Sequence, residues 1–170
     1  MRIAILGNSG SGKSTAARWL AQHSAAPLLD LDTIAWVPGQ IAVPRDSHEA
    51  QAELSQFCSQ PSWIIEGCYG DLVQHSLGFA PLLLFLNPGI EQCVANCLSR
   101  PWEPHKYASQ AEQDQRLAFL LDWVRDYETR DGPMSYQSHR DCFEQYRGPK
   151  LEVQQRPAQA ELLRLLQSVS

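Results

Sequence analysis

Apolar positions along the chain fall into two rhythms. Short continuous runs at Arg2–Leu6, Pro27–Leu31, Trp63–Glu66, Leu82–Leu86 and Lys150–Gln154 have the length of strands. Between them, apolar residues recur at three- and four-residue steps. Ala17, Leu20 and Ala21 mark a helix over 14–23. Ala50, Leu54, Phe57 and Cys58 mark one over 46–59, opened by Asp46-x-x-Glu49 in the manner of a capping box. Ile90, Cys93, Val94, Cys97 and Leu98 mark a helix over 90–99, and Leu117, Leu120, Leu121, Val124 and Tyr127 one over 112–129. A last helix starts at Pro157 and carries Leu162, Leu165, Leu166 and Val169 inward. Strands alternating with amphipathic helices predict an α/β fold, with parallel strands joined by crossovers.

Arg100-Pro101-Trp102-Glu103-Pro104-His105-Lys106-Tyr107 interrupts this alternation. Two prolines so close forbid a continuous helix. The segment from about 100 to 116 is therefore expected to be a lid-like insertion in a single domain spanning 1–170. His105 and Lys106 are expected to be solvated.

The chemistry enters with Gly7-Asn8-Ser9-Gly10-Ser11-Gly12-Lys13-Ser14. The octapeptide fits Gly-x-x-x-x-Gly-Lys-Ser/Thr and stands between a predicted strand and a predicted helix, the context this phosphate loop needs. Glycines let the backbone curl so that successive N–H groups face phosphate oxygens, and the helix dipole adds to that field. Residues 7–15, Gly7 to Thr15, are the expected ATP-binding set. Within it, Lys13 would reach the β- and γ-phosphates and Ser14 would ligate Mg²⁺.

Such a site needs carboxylates beyond the carboxyl ends of the strands. Asp30 and Asp32 stand at the end of the second strand and Glu66 at the end of the third. Asp30 and Glu66 are candidates for Mg²⁺, and Asp32 for orienting or deprotonating an acceptor hydroxyl. Asp30 and Asp32 could equally form a turn pair, and Asn87 before Pro88-Gly89 reads as a turn residue. Trp36 follows Asp32 and could stack on a planar substrate.

Bulk properties narrow the partners. A net charge of −5 without a basic run argues against direct nucleic-acid binding. No run reaches membrane-span length and no signal peptide is visible, so a cytoplasmic protein without membrane association is expected. The five cysteines (58, 68, 93, 97 and 142) contain no Cys-x-x-Cys pair and read as reduced thiols.

The phosphate loop, Asp30-Leu31-Asp32, Trp63-Ile64-Ile65-Glu66-Gly67-Cys68-Tyr69 and the tail from Arg125-Asp126-Tyr127-Glu128-Thr129-Arg130 to Tyr146-Arg147-Gly148-Pro149-Lys150 resemble small P-loop kinases of the adenylate kinase and shikimate kinase group. With Leu31-Asp32…Trp36-Val37-Pro38-Gly39, the nearer resemblance is to bacterial adenylate kinase-like proteins of the DNA topology modulation type. It implies a three-layer fold with a five-stranded parallel sheet in the order 2-3-1-4-5 and helices on both faces. It also implies a short lid and lid-side arginines facing ATP, matched here by Arg100, Arg125 and Arg130. Adenylate kinases follow the third strand with Asp-Gly-Phe-Pro-Arg, whose arginine grips AMP. Here Glu66-Gly67-Cys68-Tyr69-Gly70 offers none, so the acceptor differs from AMP held in that way. The expected activity is Mg²⁺-dependent transfer of a γ-phosphoryl group from ATP to a small acceptor. The alternative is a nucleotide-binding regulatory or switch ATPase, possibly nucleic-acid-associated, with no such acceptor. Neither Asn-Lys-x-Asp nor Asp-x-x-Gly occurs, which disfavours a GTPase.

Overall fold

The computed structural model describes residues 1–40, 43–102, 108–155 and 157–168, without the side chains of Leu166 and Ser168. His105, Lys106 and Val169, the middle of the expected lid and the Leu166 side chain therefore lie outside it. Five strands, β1 (Arg2–Gly7), β2 (Leu28–Asp30), β3 (Trp63–Gly67), β4 (Leu82–Leu86) and β5 (Lys150–Val153), form one sheet in the order β2-β3-β1-β4-β5. All pairs are parallel. The central register sets Ile5 against Glu66 on one side and Leu84 on the other.

The strands alternate their side chains between two cores. Ala4, Leu6, Ile65, Leu83 and Phe85 pack with α3 (Ser47–Cys58), α4 (Gly70–Ser76) and α7 (Tyr136–Gln145). Ile3, Ile5, Ile64, Leu82, Leu84 and Leu86 pack with α1 (Lys13–Ser24) and α8 (Gln159–Ser168). Both faces of the sheet are covered, as parallel strands require. A satellite core joins Cys93 and Cys97 of α5 (Ile90–Leu98) to Val124 of α6 (Gln110–Arg125). The chain leaves β1 toward α1 and leaves β3 toward α4, on opposite faces, which opens a crevice at their carboxyl ends.

The structure departs from the periodic reading in three ways. The second strand stops at Asp30, and Asp32 begins a short helix, α2 (Asp32–Ala35). The turn is made by Asp30, whose Oδ1 accepts the Asp32 N–H at 2.9 Å while its carbonyl accepts the Thr33 hydroxyl at 2.7 Å. Next, α6 begins at Gln110, ahead of the apolar stripe. Ser109 Oγ accepts the Glu112 N–H at 3.1 Å and Glu112 Oε2 accepts the Ala108 N–H at 2.9 Å, a reciprocal cap that starts a polar first turn. The last part of the expected lid is thus helical. Finally, α4 and α7 carry too few regularly spaced apolar residues to be seen in the sequence. The predicted cap of α3 does form, with Asp46 Oδ1 accepting from the His48 and Glu49 N–H groups.

Asn87 is more than a turn residue. Its Nδ2 donates to Glu152 Oε1 at 2.9 Å, and the two Glu152 oxygens also accept a forked pair of hydrogen bonds from Arg140, at 2.8 and 2.9 Å. This network pins β5 to α7. It holds the Arg140 charge above its ordinary range and the Glu152 carboxyl below the usual carboxylate value.

Candidate functional site

The loop from Gly7 to Gly12 turns tightly because its glycines leave no room for side chains. A Cβ on Gly7 would lie 2.3 Å from the Leu86 carbonyl oxygen, and one on Gly10, at φ +78°, 2.3 Å from the Cys93 carbonyl oxygen. Gly12 differs: it is left-handed at φ 96° and has nothing within 4 Å on its Cβ side. Its carbonyl accepts the first helical bond of α1, from Ala16 N–H at 3.0 Å. The N–H groups of Lys13, Ser14 and Thr15 precede that bond, so they lie at the positive end of the helix without an intrahelical acceptor.

Each flank of the loop is anchored. Asn8 is 2% exposed; its Nδ2 donates to the Val124 carbonyl at 3.1 Å and its Oδ1 accepts the Ser9 N–H at 2.9 Å. The Asn8 carbonyl accepts both the Ser11 N–H and, at 2.9 Å, Lys13 Nζ, which folds the lysine over the loop. Asn96 Nδ2 of α5 donates to the Gly10 carbonyl at 2.8 Å. Ser11 Oγ is buried and has no hydrogen-bond partner among the described residues.

A cavity of about 490 Å³ opens in front of this loop. Ser9, Gly10, Gly12, Lys13, Ser14 and Thr15 form its floor. Asp32 and Glu66 line it from the strand ends, and Arg18 and Arg100 bring two further positive charges. Lys13 and Glu66 are 8% and 4% exposed, so both charges face the cavity from buried positions.

The remaining sequence candidates are placed elsewhere. Gly7, Asn8 and Ser11 shape the loop from behind. Asp30 is turned onto the Asp32 backbone and is not among the lining residues. Arg125 pairs with Asp122 at 3.0 Å on the outer face of α6, its side chain 53% exposed. Arg130 lies beneath the Trp123 ring, 3.9 Å from its centroid, and donates to the Trp123 and Met134 carbonyls and, at 3.4 Å, to Asn8 Oδ1. Burial lowers the pKa of its guanidinium. Arg100 is half-buried and reaches Cys97 Sγ at 3.9 Å.

Arg18, Tyr69 and His139 are not among the site candidates that the sequence offers. Arg18 follows Ser14 by one helical turn and donates to its carbonyl at 3.1 Å, a spacing that could have flagged it. Trp36 Nε1–H donates to Tyr69 Oη at 2.6 Å, and Tyr69 O–H donates to Asp32 Oδ1 at 2.7 Å. Trp36 is thus committed to Tyr69 through its polar edge and is absent from the cavity lining. Burial and the nearby Asp32 carboxylate push the Tyr69 phenol upward. His139, fully buried, meets the Cys68 carbonyl through Nε2 at 2.8 Å and Tyr127 Oη through Nδ1 at 2.6 Å. A carbonyl only accepts, so Nε2 carries the proton and Nδ1 accepts from Tyr127. Burial holds this imidazole down at about 4 and the Cys68 thiol up at about 11.

Among the described residues, no three His, Cys, Asp or Glu side chains gather into a metal cage. Mg²⁺ does not need one, since it retains water and takes one or two protein oxygens beside substrate phosphates. Ser14, Asp32 and Glu66, all lining the cavity, could supply such oxygens. The five cysteines are unbridged, and no helix among the described residues is long and apolar enough to cross a membrane.

Similar architectures occur among solved structures. A gluconokinase from Sinorhizobium meliloti 1021 is 18% identical, with a TM-score of 0.56 over 99% of this chain and 94% of that one. A shikimate kinase from Bacteroides thetaiotaomicron is 14% identical, with a TM-score of 0.56 over 99% and 96%. A shikimate kinase from Acinetobacter baumannii, in complex with shikimate, is 16% identical, with a TM-score of 0.53 over 99% and 93%. Identities this low show a shared fold. No family model matches the chain, and no curated protein matches it.

Proposed function

We propose that this protein is a Mg²⁺-dependent P-loop phosphotransferase that moves the γ-phosphoryl group of ATP to a hydroxyl of a small acceptor. One observation carries the reading: the phosphate loop, with its buried Lys13, faces Asp32 and Glu66 across a single cavity large enough for more than a phosphate group. The fold shared with a gluconokinase and two shikimate kinases supports it. Within that fold, the Trp36–Gly39 and Trp63–Tyr69 stretches favour the adenylate kinase-like subtype, with an acceptor other than AMP.

The N–H groups of Lys13, Ser14 and Thr15 would hold phosphate oxygens, and Lys13 would exchange the Asn8 carbonyl for the β- and γ-phosphates. Arg18 and Arg100, both lining the cavity, would add charge around the triphosphate. Arg130 would act through Asn8, keeping the loop in shape, and Arg125 would reach phosphate only if it left Asp122. Mg²⁺, held by Ser14 and Glu66, would neutralise the charge on the phosphate oxygens. Asp32 would take the acceptor's proton as its oxygen bonds to the γ-phosphorus. The bond from that phosphorus to the β,γ-bridging oxygen breaks, and ADP leaves.

ATP consumption measured with Mg²⁺ against a panel of hydroxylated metabolites tests the reading. One acceptor is expected to raise turnover well above the rate with water. ATP binding with a slow rate that no acceptor changes would instead favour the regulatory ATPase.

A further inference from the structure

We infer that Tyr69 is a positioning residue for Asp32 and that Trp36 sets the direction in which it acts; this rests on the phosphotransfer reading above. Asp32 stands at the first position of a four-residue helix and is exposed. A carboxylate there would ordinarily sample several rotamers. Instead Oδ1 is held at 2.7 Å by a phenol that is itself 7% exposed and set in the core.

The chemistry of the three groups makes the chain one-way. An indole nitrogen only donates, so Tyr69 Oη accepts from Trp36 at 2.6 Å. The phenol's single proton is thereby directed at Asp32, whose ionised carboxylate only accepts. Tyr69 thus has no proton to offer a substrate, and its service to the site passes through Asp32.

The ring is fixed from below as well. Trp36 meets it edge-on at 6.2 Å between centroids. A Cβ on Gly67 would lie 3.1 Å from Tyr69 Cδ2 and 2.8 Å from Leu31 Cβ, so glycine at this strand end lets the ring and the Asp32 segment close together. Two stretches distant in sequence, Asp32–Trp36 and Gly67–Tyr69, therefore converge on one carboxylate oxygen. That convergence is the arrangement expected where a general base must be aimed before substrate arrives.

A double-mutant cycle separates aiming from mere cohesion. Mg·ATP turnover is measured with water and with glycerol as probe acceptor, and ATP affinity by calorimetry. The proteins are the unsubstituted chain, Tyr69→Phe, Asp32→Asn and the double variant. Loss of one hydrogen bond to a charged group predicts a turnover about tenfold lower in Tyr69→Phe, with ATP affinity retained within about twofold. On the Asp32→Asn background, Tyr69→Phe is expected to cost nothing further. An equal fractional loss on both backgrounds, or a parallel loss of ATP affinity, would overturn the inference. Trp36→Phe provides a second cycle if Tyr69→Phe fails to fold; a smaller loss that again vanishes with Asn at 32 supports the chain, and an undiminished one overturns it. A chain that binds ATP but turns over with neither probe nor any panel acceptor fails before any variant is made. That result overturns the phosphotransfer reading, and the inference falls with it.

Discussion

Asn8 and Val124 are joined by a 3.1 Å hydrogen bond between positions 116 residues apart. The second residue of the loop that starts at Gly7 is thereby tied to the carboxyl-terminal end of α6, the helix that follows the expected lid. Arg130, beneath Trp123, supports the same amide from its other side. The loop's shape therefore depends on a helix far from it in sequence.

Asn8→Ala should strip the Val124 carbonyl of the hydrogen bond that ties it to the loop. The expected cost is about 1–3 kcal/mol. For a chain of this size that lowers the melting temperature by about 2–4 °C for each kcal/mol. Calorimetric melting checks the magnitude, and faster amide exchange at the end of α6 checks the location.

Lys13→Ala should leave the fold intact, since among the described residues the side chain's one polar contact is to a loop carbonyl. ATP affinity should fall by about tenfold or more with the loss of a charge-assisted phosphate contact. Isothermal calorimetry with Mg·ATP measures it, and unchanged affinity would remove the phosphate-loop assignment.

Asp32→Asn and Glu66→Gln should differ in kind. Glu66 is on β3, beside the phosphate-loop strand, whereas Asp32 lies beyond β2, farther out in the sheet. The first variant should lower turnover about a hundredfold or more at retained Mg·ATP affinity, the loss expected for a general base. The second should raise the Mg²⁺ concentration needed for half activity. Identical kinetic profiles would mean that the two carboxylates form one shared metal site.

His139 should make the fold acid-sensitive. Its folded value, about 4, lies below the ordinary 6.5, so as pH falls the unfolded chain takes up the proton first. Its contribution is whole above about 6.5, drains away between there and about 4, and amounts to about 3 kcal/mol across the full window. Urea midpoints measured from about pH 7 to about pH 5 should fall, and His139→Gln should flatten that slope. An unchanged slope in the variant would assign the acid sensitivity to other groups.

The centre of the sheet was legible because Ile3–Leu6 and Leu82–Leu86 are unbroken apolar runs, and Leu82–Leu86 can be little else. The tight turn after β1 was legible because Gly7 and Gly10 have no substitute where neighbouring carbonyls crowd them. The rest depended on distant partners. In α7 the buried positions include His139 and Cys142 among polar neighbours, so periodicity treats a core residue as surface. In α4 a glycine start and a length of seven residues leave too little pattern to read. Asp32 could be proposed from its place after a strand, but its tether to Tyr69 could not, because residues 37 apart carry no mark of their contact. Arg125 and Arg130 read alike in the sequence, and only packing sends one to the surface and the other beneath a tryptophan.

The Gly10 carbonyl is held by Asn96, and the backbone of α5 fills the space where a side chain would stand. A loop braced in this way has surrendered most of its freedom before any ligand arrives. Capture of a triphosphate, on the proposed function, would then involve little ordering of the floor beneath it, so encounter would be governed by diffusion and charge instead of by waiting for a rare shape. Differences in affinity between nucleotides would consequently be expressed in how long each one stays.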